Sequence, residues 1–184
     1  PSSIGLARLG KDVLSYSPDL VFVEFAVNDT PYTSGEVKEY MDGIVWVLQN
    51  QEKKPAISFI YTTKREGNGF TDVGNIHQEI AAYYKIPGID VGQALVDQVN
   101  SGTEWQKLLS DGVHPTSEGH KLYAETIIKA IEANPNRFFT PVAAKTSPKI
   151  GSNKSLVYPT ILDIQSSRIK RSAGWGEGSH SGSA

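Results

Sequence analysis

The stretch LVFVEFAV, residues 20–27, is nearly all apolar and too short for a core helix. A run of this kind reads as a strand buried on both faces, as strands are in parallel sheets. The flanking segments agree. Before it, SSIGLARLGKDVLSYSPDL carries Ile4, Leu6, Leu9, Val13 and Leu14 at helical spacing, and Pro18 closes that helix. After it comes a polar loop. Thr33 and Glu36 then have the spacing of a capping box and open a helix that runs to about Gln49. AISFIYTT, from Ala56, predicts a second strand, KREGNGF a loop, and TDVGNIHQEIAAYYK a helix in spite of Gly74. A third short strand is expected around Ile89 to Val91, then a short helix and loop to Ser110. A last helix comes in TSEGHKLYAETIIKAIEAN, with Leu122, Ile127, Ile128 and Ile131 as its main apolar residues. Strand and helix thus alternate three times. That pattern specifies an α/β fold: a parallel sheet with helices on both faces. Sites in such sheets form beyond the carboxyl ends of the strands.

Composition narrows the function. Eighteen basic and twenty acidic side chains give a net charge of −2, without the basic footprint of a nucleic-acid binder. No apolar run reaches the roughly 18 residues of a membrane span. The chain has no cysteine, so a thiol nucleophile, disulfides and thiolate metal sites are excluded. The histidines make no metal-ligand spacing, and no cofactor is expected. The helical pattern stops at Asn134. We therefore divide the chain into a domain at 1–134 and a β-type extension or linker at 135–184. TILDIQSSRI is a candidate strand there, and GWGEGSHSGSA a low-complexity, mobile tail.

Two short motifs could carry chemistry. Asn28 and Asp29 come directly after the first strand, where a carboxamide can donate to a developing oxyanion. Taken alone, the pair is better explained by an Asx turn leaving the strand. The second motif is DGVHP, residues 111–115. An aspartate three residues before a histidine, across a glycine, can reach the imidazole around one turn. It then fixes the ring tautomer and leaves the other nitrogen as a general base. Alone, the motif is better explained by Asp111 as a turn residue and His114 as a surface histidine. His77 reads as surface or half-buried, with a cleft contact as the alternative, and His120 as solvated. Trp46 and Trp105 read as core or rim residues.

Together, in this order and both at the predicted carboxyl edge, FVEFAVND and DGVHP resemble the SGNH (GDSL-type) hydrolase superfamily of esterases, lipases and carbohydrate deacetylases. FVEFAVND looks like its Gly-x-Asn-Asp block, with Ala26 in place of the glycine. DGVHP looks like its Asp-x-x-His block, with the usual helix after it. The resemblance covers residues 1 to about 133, and LGKDVLSYSPDLVFVEFAVND is particularly similar to bacterial members with a further β module. It implies a flavodoxin-like three-layer fold with strand order 2-1-3-4-5. It also implies that His114 is the general base, that Asp111 orients it, and that Asn28 donates to the oxyanion. The activity it implies is ester hydrolysis, with an acylated carbohydrate or another small ester as substrate and acetyl as the preferred acyl group.

The family's nucleophile is the serine of a Gly-Asp-Ser block after the first strand, and this sequence has no Gly-Asp-Ser. Ser2, Ser3 and Ser110 lack a nucleophile's setting. The expectation is that the chain is the C-terminal portion of a longer protein, whose upstream segment supplies the serine and a central strand. The rival expectation is a catalytically inactive SGNH-like domain that binds glycan or protein. The residues upstream of Pro1 would discriminate between the two.

Overall fold

The computed structural model describes residues 1–143. The candidate strand and tail of the extension lie outside the described residues. The chain opens with helix α1 (Ser2–Asp12) and a 3-10 turn (Leu14–Tyr16) that ends at Ser17 in the left-handed region, φ 47°. Strand β1 (Leu20–Val23) comes next, then helix α2 (Ser34–Gln49) and strand β2 (Ala56–Tyr61). The predicted capping box is formed: the Thr33 side chain accepts from Glu36 N, and Glu36 accepts from Thr33 N. After β2 the chain forms a hairpin of β3 (Thr63–Glu66) and β4 (Gly69–Asp72), then helix α3 (Asn75–Tyr84) and strand β5 (Gly88–Asp90). Helices α4 (Val91–Asn100), α5 (Trp105–Leu108), α6 (Ser117–Ala133) and α7 (Pro135–Phe139) complete the described chain.

The main sheet is parallel, in the order β1-β2-β5. This is the α/β architecture expected, and its three strands are consecutive neighbours, as the last three are in a 2-1-3-4-5 sheet. Side-chain alternation assigns the layers. Phe59 and Tyr61 of β2 join the core built with α1, α2 and α3, where Met41, Leu48 and Tyr84 are almost fully buried. Ile60 faces the other way, against Ile89, Tyr123, Ile127 and Phe138. Each such aliphatic or aromatic side chain, fully buried, contributes about 1.5–3 kcal/mol. Helices therefore cover both faces of the sheet at β2.

Three expectations change. The strand at 20–27 ends at Val23, because residues 25–29 close a helical turn in which Asp29 N donates to Phe25 O at 2.9 Å. It is also not covered on both faces: Val21 and Val23 are buried, but Phe22 is 41% exposed. KREGNGF is not a loop but most of the β3–β4 hairpin, turned on Gly67 (φ 57°) and Asn68. The helical pattern also does not stop at Asn134. Asn134 caps α7 through its side chain, and Phe138 seals the second core cluster.

Candidate active site

The segment after α5 is tied down on every side. Leu109 bridges Pro115, Thr116 N donates to Leu108 O at 3.0 Å, and Ser110 N donates to His114 O at 2.8 Å. The turn between these ties carries Asp111 and His114. Asp111 Oδ1 accepts from Val113 N at 2.7 Å and His114 N at 2.8 Å, while Oδ2 faces His114 Nδ1 at 2.8 Å. The His114 backbone N–H, then its ring, then the Val113 N–H hold the pKa of the Asp111 carboxyl down at about 2. An ionised carboxylate can only accept, so it selects the tautomer with the proton on Nδ1. Nε2 then keeps its lone pair, and it hydrogen-bonds to no other described residue. Both side chains are exposed to solvent.

Gly112 lets the hairpin reach this turn. Arg65 N donates to Gly112 O at 2.7 Å, and a Cβ on Gly112 would lie 2.6 Å from Arg65 O. The Arg65 guanidinium in turn stacks over Trp105, 4.7 Å from the ring centroid, so Trp105 is a rim residue beside the turn. Trp46 packs partly buried against the main core.

Asn28 lies in the turn that leaves β1. Its side chain is exposed and hydrogen-bonds to no other described residue, so no Asx turn is formed there. Its neighbour Asp29 points inward and is 4% exposed. The Asp29 carboxylate accepts from Ser2 N at 2.8 Å and meets His77 Nε2 at 3.0 Å. Burial pushes the pKa of the Asp29 carboxyl up, but the hydrogen bonds from His77 and Ser2 outweigh it and hold the group below its ordinary value. Glu24 ties the same segment to the sheet, accepting from Ala26 N at 3.0 Å and from Thr62 Oγ1 at 2.8 Å. Thr62 leads directly into the hairpin that contacts Gly112. Both motifs are thus linked, through the segment after β2, along the carboxyl edge of the sheet.

His77 corrects the sequence reading: it is 2% exposed, buried against Asp29, and neither on the surface nor half-buried. No spacing rule links positions 29 and 77, so only the fold reveals this pair. His120 is exposed, as expected. The Ser110 hydroxyl donates to the His114 carbonyl at 3.1 Å, and Ser3 Oγ donates to Tyr32 OH at 3.5 Å. Among the described residues, no group of three or more His, Cys, Asp or Glu side chains could hold a metal, and no helix is long and apolar enough to cross a membrane.

Residues 2–122 match the GDSL-like Lipase/Acylhydrolase family, and the chain belongs to that family. Among curated proteins, it is similar to the isoamyl acetate-hydrolyzing esterase of Saccharomyces cerevisiae, 29% identical over 82 residues, which cover 45% of this chain and 33% of the yeast protein. Among solved structures, it is similar to a two-domain esterase active on acetylated mannans, crystallised with mannopentaose. The TM-score is 0.67 at 27% identity, over 79% of this chain and 39% of that one. An acetylxylan esterase from Geobacillus stearothermophilus shares the fold, with a TM-score of 0.59 at 22% identity over 71% of this chain and 67% of that one. The chain thus spans well under half the length of the yeast esterase and of the mannan esterase.

Proposed function

We propose that this chain supplies the base, its orienting carboxylate and an oxyanion donor to a serine ester hydrolase that removes acetyl groups from a carbohydrate. The observation that carries the reading is the Asp111–His114 pair, with Nδ1 held at 2.8 Å and Nε2 left unengaged by the described residues. In the proposed cycle, a serine hydroxyl attacks the ester carbonyl carbon while His114 Nε2 takes its proton. The carbonyl oxygen becomes an oxyanion, to which the Asn28 carboxamide donates. Collapse expels the alcohol, which receives the proton from His114. Water then attacks the acyl-serine carbonyl, losing its proton to His114, and collapse releases acetic acid as His114 returns that proton to the serine oxygen. Acetyl esters are the chemistry common to the yeast esterase and the mannan-active esterase.

The nucleophile, on this reading, belongs to a segment outside these 184 residues. Among the described residues no strand pairs with the outer edge of β1, which supports that placement. A groove of about 570 Å³ runs along that edge, lined by Ile4, Leu9, Val21, Phe22 and Phe25 among others. An apolar, unpaired strand edge is a template for another strand. A strand added there would end beside Asn28, on the carboxyl edge of the sheet. The test uses the full-length protein: label it with a serine-reactive organophosphonate, map the modified peptide, and assay it on an acetylated oligosaccharide. One labelled serine outside residues 1–184, with turnover lost in His114→Ala, is the expected result. Unchanged turnover in His114→Ala refutes the role of the base. Glycan binding with neither label nor turnover would identify a binding domain instead.

A further inference from the structure

We infer that His77, on α3, is a positioning residue for the oxyanion donor, acting on Asn28 through the buried carboxylate of Asp29. The inference rests on the proposed role of Asn28 and goes beyond it, since His77 lies in neither motif. Three elements meet at Asp29. One carboxylate oxygen takes the first N–H of α1, at Ser2, and the other takes Nε2 of His77. The backbone of Asp29 closes the turn that holds Asn28, with its N–H on Phe25 O at 2.9 Å and its carbonyl accepting from Tyr32 N at 2.9 Å. Asn28 has no side-chain partner of its own among the described residues. Its orientation is therefore set by the backbone of the turn, and the turn is anchored next door, at Asp29.

The chemistry of the pair is directional. An ionised carboxylate only accepts, so Nε2 of His77 carries the proton that faces it. Ser2 N–H, at the start of α1, adds a second donor, where the helix dipole also favours a negative charge. Without the His77 donor, a carboxylate that is 4% exposed keeps only the Ser2 contact and must move toward water or another donor. Where the Asp29 backbone shifts with its carboxylate, Asn28 shifts with it. A displacement on the order of 1 Å at a reacting group costs about 10²-fold in rate.

Substitution with a donor in the same place separates positioning from simple packing. Glutamine can present its amide N–H where Nε2 stands, whereas asparagine reaches only to the position of Nδ1. In the full-length enzyme, on an acetyl ester, His77→Asn is expected to lower kcat roughly 10- to 100-fold with KM little changed. His77→Gln should recover most of the loss. In an Asn28→Ala background, His77→Asn should cost almost nothing further, because the donor it positions is gone. Thermal unfolding of each variant verifies that it is folded. Equal loss from His77→Asn with and without Asn28 overturns the inference, as does a His77→Gln variant no better than His77→Asn. The same set isolates the parent reading. If Asn28→Ala alone retains normal kcat, the oxyanion role of Asn28 fails, whatever His77 does. If Asn28→Ala is slow while His77→Asn is fully active, only the role of His77 fails.

Discussion

Replacing Asp111 by asparagine swaps one carboxylate oxygen for an amide, and the geometry of the turn dictates the consequence. The asparagine Oδ1 can still accept from Val113 N and His114 N, so the turn keeps both of its backbone hydrogen bonds. The other terminal atom, 2.8 Å from His114 Nδ1, becomes an NH₂. A donor now faces a donor. The ring relieves the clash by moving its proton to Nε2, so that Nδ1 accepts from the asparagine. That tautomer has no lone pair on Nε2 and cannot act as the base. In the serine-protease triad the corresponding change costs about 10⁴-fold in kcat, and the shared logic gives the same order here. Asp111→Ala is expected to be less harmful to the ring, because no amide enforces the wrong tautomer, but more harmful to the turn. Two assays decide. Kinetics of the full-length enzyme on an acetyl ester give the rate. The ¹⁵N shifts of the His114 ring, in the same protein, report the tautomer. A His114 ring still protonated on Nδ1 in Asp111→Asn, or kcat within about tenfold of the parent, refutes the reasoning.

Asn28→Ala should reduce kcat by about 10²–10³-fold with KM nearly unchanged, since an oxyanion donor acts mainly in the transition state; normal steady-state kinetics would leave Asn28 as a turn residue only. The pKa of the Asp111 carboxyl lies at about 2, below its ordinary 3.8, so the folded state favours its ionised form. That contribution is fully present above pH 3.8 and is lost as pH falls through about 2. An NMR titration of the Asp111 carboxyl should therefore show its midpoint well below 3.8, and a midpoint at or above that value would contradict the turn geometry. Phe138→Ala should destabilise the domain by about 3–5 kcal/mol in urea denaturation, because this side chain is 4% exposed in the second core cluster. A change below about 1 kcal/mol would mean that α7 is not part of the domain core.

The sheet was legible because its signals are local. β2 reads as an apolar run broken only by Ser58, as suits a strand flanked on both sides: five of the six residues from Ala56 to Tyr61 are buried. The helix at Thr33 was legible because its cap is written in two residues three apart. The hairpin at 63–72 was harder. Its strands are polar and lack apolar alternation, although Gly67 and Asn68 between them are a known two-residue hairpin turn. Helix α7 is too short to display a period, and Pro135 at its start reads equally as a breaker or as a first helical residue. Asp111 and His114 were legible because their contact spans one turn. Asp29 and His77 were not, because their contact depends on where α3 packs, and position along the chain does not encode that.

The described parts of the site share one device. Helix starts and tight turns leave backbone N–H groups without helix or ladder partners, and each must find an acceptor. Here carboxylates meet that need three times: Glu24 at Ala26 N, Asp29 at Ser2 N, and Asp111 at Val113 N and His114 N. Each carboxylate has a second oxygen or a second lone pair, and each uses it on a side chain: Thr62, His77 and His114. The same group therefore fixes a backbone segment and the side chain that packs against it. At Asp111 that neighbour is the proposed base itself; at Asp29 it is a buried histidine from a third element. Hydrogen bonds to an ionised acceptor are roughly twice as strong as neutral ones, and they add rigidity to these turns. Asn28 and His114 remain exposed to solvent, as their proposed roles toward a substrate require.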